Sequence, residues 1–223
     1  MKSLSNEKLA KRIIKKGYAG RIDTSLNKIT PLLLDLRGSV LEIGSGSGSA
    51  LSRLSADIHY VGLEPNSFLH DALREAIRAR GFRDFEIIGS TAEKMPFPDS
   101  FFDAVISVRT MCSVHDLDGV ISQIERVLKP GGVFIFTEHV AAPRGNWRRY
   151  LQQLVAPLWR RRMGCSPAID VEEAIRRAGF SNIHIEPFRV GGRSNLTSRL
   201  RIFGVAVARY GDEGRLDGLK VVV

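Results

Sequence analysis

Three groups of residues in this chain have types and spacing suited to chemistry. The first is a set of glycines at alternate positions, Gly44, Gly46 and Gly48, interleaved with Ser45 and Ser47 and preceded by Val40-Leu41-Glu42-Ile43. The apolar run reads as a buried strand. Glycines after it let bare backbone approach a ligand, because they allow φ > 0 and carry no Cβ. Backbone N–H groups at a helix start would then point at that ligand. The second is Glu64, 20 residues beyond Gly44 and at the end of another apolar run. A carboxylate there can accept hydrogen bonds from both hydroxyls of a nucleotide ribose. It equally suits the start of a helix as a cap. The third group is His115, His139 and Glu138, candidate proton acceptors. The plainer reading of the histidines is a helix-start residue and a strand-end residue.

Bulk properties bound what these residues can serve. The 223 residues suit one sizeable domain with its own core, and the apolar and charged fractions, 43% and 26%, are those of a globular protein. No run of 18 apolar residues exists, so no spanning helix is expected. The net charge of +9 is unevenly placed. Residues 1–21 hold seven Lys/Arg and one acid, residues 22–143 hold eleven and sixteen, and residues 144–162 hold six Arg and no acid. An acidic body with basic flanks is compatible with nucleic acid, an anionic surface or an anionic substrate, and also with plain solvated faces. Cys112 and Cys165 show no metal-ligand spacing; free thiols, a reducing compartment and no metal are expected. The N-terminal stretch lacks the apolar core of a secretory signal. Leu4, Leu9, Ile13 and Ile14 instead make it a short basic amphipathic helix.

The elements that must position the site follow an alternating rhythm. Strands are expected at Val40–Ile43, Ile58–Leu63, Phe85–Ile88, Ala104–Ser107 and Val133–Glu138. Helices are expected at about Ser49–Leu54, Ser67–Ala79 and Leu117–Leu128, the second ended by Gly81 and the third by Lys129-Pro130-Gly131-Gly132. The rhythm breaks at Pro143–Pro167, read as a helical insert. A helix at Val171–Ala178 and strands at Ile183–Ile185 and Leu200–Ala208 follow. The pattern predicts an α/β fold, a doubly wound and mostly parallel sheet with helices on both faces.

Glycine loop and acid alone fit NAD and S-adenosylmethionine equally. The discriminating stretches are Ala92-Glu93-Lys94-Met95-Pro96-Phe97 before the fourth strand and Leu128-Lys129-Pro130-Gly131-Gly132 before the fifth. With them, the sequence resembles the class I S-adenosylmethionine-dependent methyltransferases, in motif order and spacing. From about Arg37 to Arg209 it is similar to the methyltransferase-like 7 family of thiol S-methyltransferases. Met111-Cys112-Ser113-Val114, Glu138-His139-Val140-Ala141-Ala142, Tyr150-Leu151-Gln152-Gln153 and Gly164-Cys165 carry that likeness. Leu63-Glu64-Pro65-Asn66 matches its second strand end, with Glu in place of Asp. That family is held on membranes by an N-terminal apolar segment, where this chain has the basic helix.

The resemblance implies a Rossmann-like class I methyltransferase fold, with a seven-stranded, mostly parallel sheet and one antiparallel edge strand. It implies S-adenosyl-L-methionine as cofactor and S-adenosyl-L-homocysteine as product. Glu42, Gly44, Ser45, Gly46 and Gly48 would face the amino-acid half, and Glu64 the ribose. Pro65, Asn66, Thr91, Ala92 and Glu93 would lie about the adenine. Arg109 and Thr110 would flank the methionine portion, with His115 near the methyl group or a pocket lid. The acceptor pocket would draw on Tyr18, Met111, His139, Trp147, Tyr150 and Trp159, because the insert follows the fifth strand and ligands bind outside strand carboxyl ends.

A sulfonium methyl is already electrophilic, so the protein must chiefly align a nucleophile and exclude water. A thiol must first become a thiolate, for which His115, His139 and Glu138 are the candidate bases. The expected function is methyl transfer to a small molecule, a thiol by resemblance. The alternatives are O-, N- or C-methylation of a natural product or lipid, a nucleic-acid methyltransferase, and a non-catalytic cofactor-binding protein. No specific nucleic-acid partner is expected; weak contact with an anionic surface, a monomer or homodimer, and a cytoplasmic location are. Residues 1–30 are expected as a basic helical lid segment, 31–210 as the catalytic domain and 211–223 as a flexible tail.

Overall fold

The computed structural model describes residues 26–189 and 200–209. Tyr18, most of the expected lid segment and the expected tail lie outside those residues.

The described elements are helix α1 (Leu26–Leu34), strand β1 (Ser39–Ile43), β2 (His59–Leu63), α2 (His70–Ala79), β3 (Phe85–Ile88), β4 (Phe102–Val108), α3 (Leu117–Val127), β5 (Leu128–His139), α4 (Trp147–Met163), α5 (Val171–Arg177), β6 (Asn182–Arg189) and β7 (Leu200–Val207). They form one seven-stranded sheet in the order β3-β2-β1-β4-β5-β7-β6. Strands β1 to β5 pair in parallel. The one antiparallel strand is β7, which lies one position in from the edge between β5 and β6.

Strand alternation sorts the core into two layers. Leu41, Ile43, Val105, Phe134 and Phe136 pack with Val120, Ile121 and Ile124 of α3 and Val171 and Ile175 of α5. Val40, Tyr60, Ala104, Ile106 and Ile135 pack with Ile29 and Leu33 of α1 and Leu73 and Ile77 of α2. Glu42 alternates with Leu41 and Ile43, so it enters the second layer. Residues 26–30, expected in the lid, are instead the start of α1, which packs against β5 and β7.

The helix expected at Ser49–Leu54 is a single 3-10 turn, Leu51–Arg53. Its bonds run three residues back, Arg53 N–H to Ala50 O at 2.8 Å and Leu54 N–H to Leu51 O at 3.3 Å. Ser55 then accepts from the Asp57 N–H at 3.3 Å, turning the chain into β2 before a second helical turn can form.

Candidate active site

The strand order reverses between β1 and β4, and in an open parallel sheet that switch point opens a crevice at the carboxyl ends of the strands. The predicted cofactor residues Gly44, Glu64, Arg109 and Thr110 all follow these strand ends. The glycine loop crosses the end of β2, where Gly44 N–H donates to Leu63 O at 2.7 Å. Gly44 and Gly46 have φ of 61° and 58°, the left-handed region open to glycine. A Cβ on Gly44 would run into the Thr110 side chain. Thr110 backs the loop by donating its hydroxyl to Ile43 O at 3.0 Å.

Glu64 ties the loop to the second strand end. One carboxylate oxygen accepts from Gly46 N–H at 2.9 Å and the other from Asn66 N–H at 2.8 Å. Burial raises its pKa, against which these two bonds act. His70 meets the Glu64 carbonyl at 2.7 Å. Asn66 accepts from Phe68 N–H at 3.3 Å, while Pro65 is exposed.

Thr91 is exposed, Ala92 buried and Glu93 half-buried on the loop after β3. The Glu93 carboxylate accepts from His115 N–H at 2.8 Å. Partial burial pushes its pKa up, but the backbone donors prevail and hold it below the usual range. Arg126 of α3 pins the rest of this loop. It donates to Phe97 O and Asp99 at 2.7 Å each and to Met95 O at 3.0 Å.

Two buried carboxylates lie beneath the site. Tyr60 donates its hydroxyl to Glu42 at 2.7 Å, and burial raises the Glu42 pKa to about 7. The Tyr60 hydroxyl is itself pushed up by burial. At the end of β5, one oxygen of Glu138 accepts from Ser107 Oγ at 2.6 Å, Thr110 N–H at 2.9 Å and Met111 N–H at 3.3 Å. Burial raises this pKa too, to about 7. Glu138 thereby fixes the turn after β4, where Arg109 takes a left-handed φ of 57° and donates its N–H to Thr137 O at 2.9 Å.

The candidate bases occupy different surroundings. His115 is exposed, with Nδ1 4.0 Å from Glu93. His139 is half-buried at the end of β5, and its Nδ1 lies 3.7 Å from Cys112 Sγ. Met111 is buried beside this strand end.

The insert differs from its expected arrangement. It is helical, α4, but Trp147 and Tyr150 are 62% and 68% exposed and do not line an enclosed pocket. Trp159 is half-buried. The one buried residue of α4 is Gln152, which accepts from Ala142 N–H at 2.8 Å. Arg149 forms a two-pronged ion pair with Asp170, and Arg160 donates to Val114 O at 2.5 Å. Polar bonds therefore dock this helix, and Trp147, Tyr150, Leu154 and Leu158 face outward as a stripe.

Sequence reasoning missed Tyr60, Ser107, Gln152, Arg126 and Cys165. Each acts on a partner ten or more residues away in the chain; Gln152 and Cys165 stood in stretches that carry the family likeness, and Arg126 beside the Leu128–Gly132 turn, but none of these signals named the partner.

The loop fits a cofactor with a sugar and a cationic end. Its glycines leave no side chain in the crevice, the Glu64 carboxylate bonds the Gly46 N–H, and the buried acids Glu42 and Glu138 hold the Tyr60 hydroxyl and the Thr110 turn rather than the loop itself. Such a set suits hydroxyls, an ammonium and a sulfonium better than a diphosphate. The comparisons with known proteins agree. Residues 41–136 match the methyltransferase domain Methyltransf_11. The chain is 28% identical over 172 residues to the human thiol S-methyltransferase TMT1A, covering 76% of this chain and 70% of that one. It is 34% identical over 145 residues to a fatty-acid O-methyltransferase of Mycolicibacterium smegmatis, covering 62% and 50%. In fold it resembles the [4+2]-cyclase SpnF, with a TM-score of 0.69 at 19% identity, over 95% and 98% of the two chains. It also resembles a phosphoethanolamine N-methyltransferase of Haemonchus contortus in complex with S-adenosyl-L-methionine, with a TM-score of 0.65 at 16% identity, over 92% and 57%. Fold, motif order and matched domain together support a class I S-adenosylmethionine-dependent methyltransferase, an enzyme similar to the TMT1 thiol S-methyltransferases.

Proposed function

We propose that the acceptor is a small apolar thiol. The observation that carries this reading is the extent of the likeness to TMT1A, whose 172 aligned residues exceed the 96 of the domain match and so reach beyond the cofactor-binding half. S-adenosylmethionine, when bound, supplies a methyl group on a sulfonium, and the chain must orient and deprotonate what receives it. Gly44, Ser45, Gly46 and Gly48 would hold the amino-acid half, Glu64 the ribose, and Ala92 with its neighbours the adenine. His139 is the proposed proton acceptor for the thiol. It sits at the end of β5 and already has a thiol, Cys112, within 3.7 Å of Nδ1. Glu138 is assigned a positioning role, because one of its oxygens serves three donors that fix the Thr110 turn.

The fatty-acid O-methyltransferase likeness favours a second reading, methylation of a carboxylate. A screen of labelled S-adenosylmethionine against alkyl thiols, fatty acids, phenols and amines separates the two. Thioether formation with alkyl thiols, lost in His139→Ala with the cofactor Kd unchanged, supports the thiol reading. Turnover confined to carboxylates overturns it.

We also propose that α4 contacts an anionic lipid surface. Its outward stripe joins Trp147, Tyr150, Leu154 and Leu158, the exposed Arg148, Arg161 and Arg162 lie on the same helix, and the helix has no acid. A partly apolar, arginine-rich helix is suited to the headgroup boundary. Co-sedimentation with phosphatidylserine vesicles, absent with phosphatidylcholine alone and weakened in Leu154→Glu, is the expected result. Equal partition to both vesicles in both proteins refutes it.

A further inference from the structure

Two cysteines that are 53 positions apart in the chain are brought together beside the turn after β4. Cys112 is buried in the turn after β4. Cys165 is half-buried and directly follows Gly164, whose left-handed φ of 76° ends α4. The Cys165 thiol is the first of the neighbours that act on the Cys112 thiol, ahead of burial. Ser166 N–H donates to Cys112 O at 2.6 Å, so the two backbones run side by side. A backbone bond offset by one residue from a cysteine pair leaves the Cα atoms near the roughly 4.4–6.8 Å separation that disulfides bridge. Two further groups complete the cluster: His139 Nδ1 at 3.7 Å and the Arg109 carbonyl at 3.6 Å from Cys112 Sγ.

We propose that Cys112 and Cys165 form a reversible disulfide in exchange with low-molecular-weight disulfides, and that this bond latches the end of α4 to the turn after β4. The turn carries Arg109 and Thr110, which would flank the methionine side of the cofactor, so the latch ties the docking of α4 to that turn. It holds whichever acceptor the enzyme uses.

The two thiols have unequal parts. The Cys165 thiol, followed by burial, pushes the Cys112 thiol up, so Cys112 stays protonated at rest. Cys165 has solvent access and is the entry point. Its thiolate attacks one sulfur of a small disulfide RSSR, forming Cys165–S–S–R and releasing RS⁻, which takes up the proton Cys165 lost. Cys112 then passes its proton to the His139 imidazole and attacks the Cys165 sulfur. The bond to the second R–S group breaks, and that thiolate leaves with the proton held by the imidazole. The sum is two protein thiols and RSSR giving one protein disulfide and two RSH, and excess RSH reverses it.

The test treats the native full chain with oxidised glutathione and reads intact mass, thiol count and amide hydrogen exchange. Wild type should lose both thiols, keep no glutathione, and recover both under dithiothreitol. Exchange over residues 110–113 and 164–166 should slow at least tenfold on oxidation. Cys112→Ser should instead retain one glutathione on Cys165. Cys165→Ser, with unchanged S-adenosylhomocysteine affinity as proof of folding, should keep its Cys112 thiol unmodified. Retention of glutathione by wild type, reaction only after denaturation, or unchanged exchange on oxidation would each overturn the proposal.

Discussion

Replacing Glu42 with Gln should flatten the acid-to-neutral stability profile of this enzyme. Glu42 is fully buried among Val40, Tyr60 and their apolar neighbours, with the Tyr60 hydroxyl as its donor. Desolvation disfavours the charged carboxylate and raises its pKa from 4.5 to about 7. In the unfolded chain Glu42 loses its proton near pH 4.5, while in the folded chain it keeps it to about pH 7. Between those values the folded state binds more protons, so stability falls as pH rises; below and above them the contribution is flat. At about 1.4 kcal/mol per pH unit, the integrated loss from this residue is about 3 kcal/mol. In Glu42→Gln that loss vanishes, while any packing effect of the amide shifts the whole curve without tilting it. Glu138 titrates over the same interval and keeps part of the slope in both proteins. Glu93, Asp103 and Asp170 have lowered pKa values, so their contributions are lost only on the acid side, below about pH 4.5. Urea unfolding at closely spaced pH values from 4 to 8.5 measures the difference. Parallel curves for wild type and variant across pH 4.5–7 would refute the assignment of a protonated, buried Glu42.

Three further substitutions probe the cofactor crevice. Gly46→Val places a branched side chain at a φ of 58° in the loop, and calorimetry should find at least a hundredfold weaker S-adenosylhomocysteine binding by a folded protein; ordinary affinity would remove the loop from the site. Glu64→Gln keeps an acceptor for Gly46 N–H but loses the charge offered to the ribose, and affinity should fall by about 1–3 kcal/mol, roughly five- to 150-fold. Arg126→Ala releases Met95 O, Phe97 O and Asp99 together; because the guanidinium is partly exposed, a destabilisation of only about 1–2 kcal/mol is expected, with a weaker cofactor Kd, and a variant matching wild type in both would show the loop to be self-supporting.

Much of the fold was legible because its signals are short in range. Apolar runs bounded by glycine, proline or an acid marked the five parallel strands β1 to β5, and the loop that follows β1 needed three glycines within five residues. The failure at Ser49–Leu54 was also local. Apolar spacing at Ala50, Leu51 and Leu54 resembled a helix, but Ser55 and Asp57 bond each other in place of a second helical turn. What the sequence could not convey were the pairs made by register. Glu42 lies opposite Gly62, and Tyr60 lies opposite Val40. With no side chain at Gly62, the Tyr60 ring leans diagonally across to the carboxylate. Likewise Ser107 reaches Glu138 only because β4 and β5 align Ser107 with Phe136, two residues earlier on the same face.

The insert shows where amphipathic pattern stops carrying information. Trp147, Tyr150, Leu154 and Leu158 recur at helical spacing, and such a stripe reads the same whether it covers a pocket or faces away from the body. The deciding residues were polar. Gln152, Arg149 and Arg160 have their partners on Ala142, Asp170 and Val114. Those bonds turn the opposite face of α4 toward the sheet, so the apolar stripe is left outside. The same docking carries Cys165 to Cys112, since Arg160 and Ser166 bond to the turn on either side of that pair. One rotation of α4 about its axis would bury the stripe, release Arg160 from Val114 and separate the thiols. The outward aromatic face and the thiol pair are thus two consequences of one orientation. Arg160→Ala should loosen both: glutathione should persist on Cys165 as a mixed disulfide, and Trp emission should shift as the helix turns. A variant that closes its disulfide at the wild-type rate, with unchanged emission, would show that Arg160 does not set the orientation of α4.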